Sequence, residues 1–303
     1  MSKNISYFNK NNLKMEYYVI TPKNHGWGWG YGFFSNYRIC LAELMYYHQH
    51  RENIYKNKKP YISWAKTTWV DEFDPMKSNI CRSNENPFDW WFEQDIPLNK
   101  DRLSMCRNKN SNLIDHAEHY FFKKDKLEYQ KNIEELYIKP KKFILDRIEE
   151  LYEKEFENEI VLGVVARGSE YNTHHGMLYG IFDANKYIKC IQDVLEKNKD
   201  ITKIFVVSDE IDYIKKIEQS FKNVYYLHDI FRRSDETEEY LNKNHHWMNI
   251  SDKRKNHTRL LGEECITQIK LLGKCDYISG RLCGLTAGGV LWNEQTKNVF
   301  IFK

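Results

Sequence analysis

Residues 160–166 read Ile-Val-Leu-Gly-Val-Val-Ala, a near-continuous apolar run. Such a run is expected of a strand buried on both faces in a parallel sheet, and it heads a regular series. Residues 184–197 carry Tyr187, Ile188, Ile191, Val194 and Leu195 at helical spacing, 203–208 (Lys-Ile-Phe-Val-Val-Ser) read as a strand, and 211–221 put Ile211, Ile214, Ile217 and Phe221 in helical step. A strand over 223–227, a helix over 262–272 and strands over 276–279 and 299–302 complete the series. Alternating strand and helix of this kind builds a doubly wound α/β sheet. The helix predicted over 142–156, with Phe143, Ile144, Ile148, Leu151, Tyr152 and Phe156 as its apolar residues, joins this half to what precedes it.

At 303 residues the chain is long for one core, and two domains, 1–141 and 142–303, are expected. The first half opens with a strand at 15–21, a Gly-rich loop at 24–32 and a helix at 35–48 that Ser35 or Asn36 would cap. A strand is predicted at 61–64. From 67 to about 136 the pattern is irregular, and its aromatic segment 86–93 (Asn-Pro-Phe-Asp-Trp-Trp-Phe-Glu) reads as an active-site wall. The polar stretch 235–255 reads as a loop with helical pieces.

Composition excludes several classes. Charges are mixed and the net charge is +3, without a Lys/Arg block of the kind that binds nucleic acid. The densest basic stretch, 56–66, also holds Pro60, Tyr61, Ile62 and Trp64; it reads as a helix exit leading into a strand and is compatible with a peripheral membrane contact. Seven scattered cysteines without a Cys-x-x-Cys pair indicate a reducing compartment, and residues 1–14 are polar, with no apolar signal core. No run reaches the roughly 18 apolar residues of a membrane span, so a cytoplasmic location is expected. Aromatic residues at 15% suit stacking on sugar faces as well as ordinary core packing. The adjacent histidines 174–175 and 245–246 lack the helical spacing of a zinc pair, and no metal site is expected. No Gly-x-x-x-x-Gly-Lys occurs, which excludes a P-loop.

In doubly wound sheets ligands bind at the carboxyl ends of the strands, and three strand exits carry suitable chemistry. Arg167 follows the buried run and precedes Gly168, well placed to offer a phosphate its two-pronged guanidinium, or else to pair with Glu170 or Asp209. Ser208 and Asp209 end the next strand, where either could instead cap the following helix. Residues 279–289 (Ser-Gly-Arg-Leu-Cys-Gly-Leu-Thr-Ala-Gly-Gly) are small enough for backbone to approach a ligand closely. The strand–glycine–helix arrangement at 15–48 likewise suits a phosphate.

Taken in order, these segments resemble the fucosyltransferase-like glycosyltransferases, a group that includes the α-1,6-fucosyltransferases and bacterial capsule and O-antigen enzymes. Residues 162–170 (Leu-Gly-Val-Val-Ala-Arg-Gly-Ser-Glu) look like that family's Gly-Val-His-x-Arg-x-x-Asp signature. Residues 203–210 are similar to its Ile-Phe-x-x-Thr/Ser-Asp-Asp/Glu strand, and 262–276 (Gly-Glu-Glu-Cys-Ile-Thr-Gln-Ile-Lys-Leu-Leu-Gly-Lys-Cys-Asp) resemble its Gly-Glu helix. Residues 30–36 and 86–93 resemble its Gly-rich first turn and its Asn-x-Trp-Glu-x-x-Phe-Glu segment.

The resemblance implies an α/β fold of two Rossmann-like domains facing a cleft (GT-B-like) and an inverting transfer from a nucleotide sugar, usually GDP-fucose, to a glycan acceptor, with no cofactor and no catalytic metal. Arg167 would contact the donor diphosphate, with Gly30, Tyr31 and Gly32 approaching from the other domain and Ser208, Asp209, Gln268, Cys283, Gly284 and Thr286 completing the donor site. Glu170, His175 and Glu93 are candidates for the base that takes the acceptor proton. Two positions depart from the pattern: the family His is Val165 here and a family Asp is Gln268. In relatives both help read guanine, so a different nucleotide sugar, or binding without catalysis, stays open.

Overall fold

The structure, a computed structural model, describes residues 16–21, 32–64, 86–95, 103–105, 124–168, 181–232, 254–293 and 299–302. Its first sheet is parallel and three-stranded. Strand β1 (Glu16–Ile20) lies between β2 (Lys58–Ile62) and a strand at Leu103–Met105. Helix α1 (Phe33–His50) makes the crossover from β1 to β2. It begins two residues before the predicted start, because Phe33, Phe34 and Tyr37 are all drawn into the core. Gly32 therefore stands at the cap position and accepts the Asn36 N–H at 3.2 Å; neither Ser35 nor Asn36 is the cap. Strand β2 spans 58–62 rather than 61–64 and lies at the sheet edge, where Pro60 removes no ladder donor from the interior.

The aromatic segment expected to wall an active site is core instead. Helix α2 (Phe88–Trp91) runs into β3 (Phe92–Glu93), and Phe88, Trp91 and Phe92 are buried against Phe33 and Trp64. Asn86 fastens this segment to the end of β2: its Oδ1 accepts the Trp64 N–H at 2.8 Å and its Nδ2 donates to the Ile62 carbonyl at 2.7 Å. After β4 (Leu103–Met105), residues expected to be irregular form helix α3 (Lys124–Tyr137). Its buried positions include Leu127, Gln130, Ile133 and Glu134, so polar side chains interrupt the apolar stripe that would have announced it. Strand β5 (Lys139–Pro140) then pairs antiparallel with β3.

Helix α4 (Lys142–Glu155) leads to the second sheet, whose elements follow the predicted order: β6 (Val161–Val165), α5 (Ala184–Lys197), β7 (Lys203–Val207), α6 (Ile211–Ser220), β8 (Val224–Tyr225), α7 (His257–Gly273), β9 (Tyr277–Arg281), α8 (Gly284–Trp292) and β10 (Val299–Phe302). All five strands are parallel, in the order β10-β9-β6-β7-β8. The two-residue period sends Val161, Val165, Phe205 and Val207 to one face and Leu162, Val164, Ile204 and Val206 to the other. The second face packs on α5 and α6 through Tyr187, Ile191, Ile214 and Ile217. The first belongs to a cluster that also includes Tyr18, Phe33, Tyr37, Trp64 and Trp91 from the other half of the chain.

Close approach between the halves is made by glycines. A Cβ on Gly262 would stand 2.2 Å from the Trp91 indole, and one on Gly288 2.2 Å from the Phe34 ring. Trp91 Nε1 donates to the Arg259 carbonyl at 2.8 Å, Tyr37 OH donates to Glu134 at 2.9 Å, and Lys270 reaches the same carboxylate at 3.5 Å. Burial raises the Glu134 carboxyl above its ordinary range, and the Lys270 ammonium beside it opposes that shift.

Candidate active site

The strand order fixes where a ligand can enter. From β6 the chain moves outward to β7 and β8, then returns to place β9 on the other side of β6, so the order reverses between β6 and β9. The crevice beyond the carboxyl ends of these strands is the binding place of such sheets. A pocket lies there, lined by Arg167 after β6, Val207, Ser208 and Asp209 at the end of β7, Phe231 and Arg232 after β8, Leu261, Cys265 and Gln268 on α7, and Leu285 on α8. The open space between these residues, solvent at its mouth included, is about 630 Å³.

Arg167 is held from two sides. Its backbone N–H donates to the Tyr187 hydroxyl at 3.0 Å, and the same hydroxyl donates back to the Arg167 carbonyl at 3.1 Å. Burial keeps this phenol protonated far above its ordinary range. The guanidinium meets Asp209 at 3.2 Å, and the other oxygen of Asp209 accepts the Gly168 N–H at 3.0 Å. Asp209 is thus a partner of the Arg167 turn rather than a helix cap. Ser208 is buried, and its Oγ accepts the Glu210 N–H at 3.1 Å. Gln268 donates to the Glu264 carbonyl at 3.3 Å, while its Oε1 meets no hydrogen-bond partner among the described residues. Burial pushes the Cys265 thiol up to about 12, which makes it a poor nucleophile at neutral pH.

The other predicted residues are placed differently. Thr286 is fully buried, and its hydroxyl donates to the Arg281 carbonyl at 2.6 Å; Cys283 lies 3.4 Å from that hydroxyl. The small residues after β9 largely serve packing: Gly288 receives Phe34, and Gly289 stands against Leu272. Gly284 begins α8, and Leu285 rather than Gly284 lines the pocket. Glu93 is exposed on β3, in register with Lys139, and is not among the pocket-lining residues. Gly32 is exposed at the start of α1. Gly30, Tyr31, Glu170 and His175 lie outside the described residues, as does most of the Gly-rich turn expected to face Arg167. Val165 is wholly buried inside the sheet. Beside it Gly280, at φ 155°, lets β9 approach β6 where a Cβ would stand 2.8 Å from Val165.

Sequence reasoning missed Phe231, Arg232, Leu261, Cys265 and Leu285. A signal for Arg232 existed: it follows the exit of β8, and the rule applied to the other strand ends applies there too.

A five-stranded parallel sheet of this order, a smaller parallel sheet joined to it through helices and a pocket at the order reversal make a two-sheet α/β fold of the GT-B-like kind, shared with solved fucosyltransferases. The chain is similar in structure to NodZ, an α-1,6-fucosyltransferase, soaked with GDP-fucose: TM-score 0.52 at 15% identity, over 92% of this chain and 93% of that one. The same enzyme co-crystallized with GDP gives 0.53 at 14% identity, and fucosyltransferase NodZ from Bradyrhizobium gives 0.52 at 15%, each over 92% of this chain and 93% of the other. No family profile matches the sequence, and no curated protein matches it.

Proposed function

We propose that this chain is an inverting glycosyltransferase that moves a sugar, best read as fucose from GDP-fucose, to a glycan acceptor in surface polysaccharide synthesis. The observation that carries this reading is Arg167 lining the switch-point pocket, on the fold of an enzyme whose crystal was soaked with GDP-fucose. In the proposed reaction an acceptor hydroxyl attacks the anomeric carbon, the bond from that carbon to the phosphate oxygen breaks, and the nucleoside diphosphate leaves with the electron pair. Arg167 offsets the charge that builds on the leaving phosphate, held ready by the Tyr187 hydroxyl and Asp209. The acceptor proton goes to a base, with Glu170 and His175 as candidates. The donor and acceptor halves are proposed to be 142–303 and 1–141. A second reading, the same chemistry with another nucleotide sugar, is favoured by Val165 and Gln268, which by the sequence resemblance replace the side chains that help read guanine in relatives.

Thermal shift of the full chain with GDP, UDP, CDP and CMP separates these. A rise with GDP alone supports a fucosyl or mannosyl donor, a rise with UDP or a cytidine nucleotide supports the second reading, and slow hydrolysis of the matching nucleotide sugar identifies an enzyme. A flat response to all four would remove the nucleotide-sugar reading.

A further inference from the structure

Arg232 is the polar side chain of the pocket whose partners do not explain its presence. It lines the cavity and is 9% exposed. Its Nε and one terminal nitrogen, Nη2, meet no hydrogen-bond partner among the described residues. The guanidinium lies over the face of the Tyr226 ring, 5.3 Å away. The acids around it are engaged by other bases. Glu264 is held by both terminal nitrogens of Arg254 and accepts the Phe231 N–H at 3.3 Å, Asp229 is held by Arg147 at 2.7 Å, and Asp209 is held by Arg167 at 3.2 Å. Burial pulls the Arg232 guanidinium down to about 10, which still leaves it charged at neutral pH. A buried cation without a counter-charge is costly. In a pocket, the natural compensation is an anionic ligand.

We propose that Arg232 is a second anion-binding residue of this site, its guanidinium taking phosphate oxygens of the donor diphosphate. This rests on the nucleotide-sugar reading and divides the work within it. Arg167 enters the encounter already paired with Asp209, whereas Arg232 has no ion pair of its own among the described residues and brings a charge that the diphosphate neutralises. Arginine suits this position because its planar fork can hold two oxygens at once, which a lysine ammonium cannot.

Isothermal titration of the full chain with GDP, UDP, CDP and inorganic pyrophosphate, on wild type, Arg232→Met and Arg232→Lys, tests it. Arg232→Met should weaken the best nucleoside diphosphate and pyrophosphate at least about tenfold, and Arg232→Lys should recover part of that. The ligand-free melting temperature of Arg232→Met should be equal to wild type or higher, because an isolated buried charge has been removed. Unchanged affinity in Arg232→Met overturns the proposal, as does weakened affinity that merely accompanies a large drop in melting temperature. Should Arg232→Met fail to fold, Arg232→Lys decides: undiminished affinity overturns the proposal. Were wild type to bind none of the nucleotides, the nucleotide-sugar reading would fall, and Arg232 would be judged on pyrophosphate alone. Pyrophosphate binding lost in Arg232→Met keeps the anion site; no pyrophosphate binding by wild type ends it too.

Discussion

At Arg167 the guanidinium is paired with Asp209, one of the two roles that the sequence leaves open, and it also borders the pocket where the other would be exercised. The pair is about a quarter exposed on each side, so its contribution to stability is small, about 0–1 kcal/mol. A transition-state contact is worth more. Arg167→Ala should therefore lower turnover by roughly 10²-fold, on the order of 3 kcal/mol, with little change in melting temperature, and Arg167→Lys should restore only part of the rate. Near wild-type turnover together with a large loss of stability would sink the assignment. The residues legible beforehand, Arg167, Ser208, Asp209 and Gln268, follow a strand or lie on a helix whose pattern is regular. Arg232 was not legible because its value lies in what surrounds it: the nearby acids are occupied by Arg254 and Arg147, and that pairing is a tertiary fact.

Elements announce themselves when their buried positions are apolar. β6, α5, β7 and α6 lie within a residue or so of their predicted bounds because Leu162, Val164, Tyr187, Ile191, Ile204, Ile214 and Ile217 keep strict periods. α3 was invisible because Gln130 and Glu134 occupy two of its buried positions. α7 starts at His257, well before the predicted start at 262, since His257 and Thr258 are buried polar residues that break the apolar pattern. Its Gly262 resembled a family motif, yet in the structure it serves packing, because only a residue without a side chain admits the Trp91 indole so closely. Gly262→Ala should destabilise by about 1–3 kcal/mol through overpacking, outweighing the roughly 1 kcal/mol that alanine gains in a helix interior. Urea unfolding measures the balance, and a variant more stable than wild type would show that the indole can retreat.

Across the whole molecule, the largest buried cluster does not stop between the two sheets. It runs from Tyr18 and Trp64 through Phe34, Tyr37 and Trp91 to Leu261, Leu272 and Leu291. The two-domain expectation from length alone suggests two folding units, but a shared core couples them. Scanning calorimetry should show a single unfolding transition whose van't Hoff and calorimetric enthalpies agree. Two well-separated peaks would contradict this coupling.

The glycines that let Phe34 and Trp91 sink into α8 and α7 also limit how such a protein can be diversified. A chimaera that joined residues 1–141 to the second half of another protein of this fold would inherit aromatic plugs without their sockets, unless glycine stood at the positions equivalent to 262 and 288. Exchange of whole halves is therefore a poor route to a new binding property, and new specificity has to be written into the loops around an inherited junction.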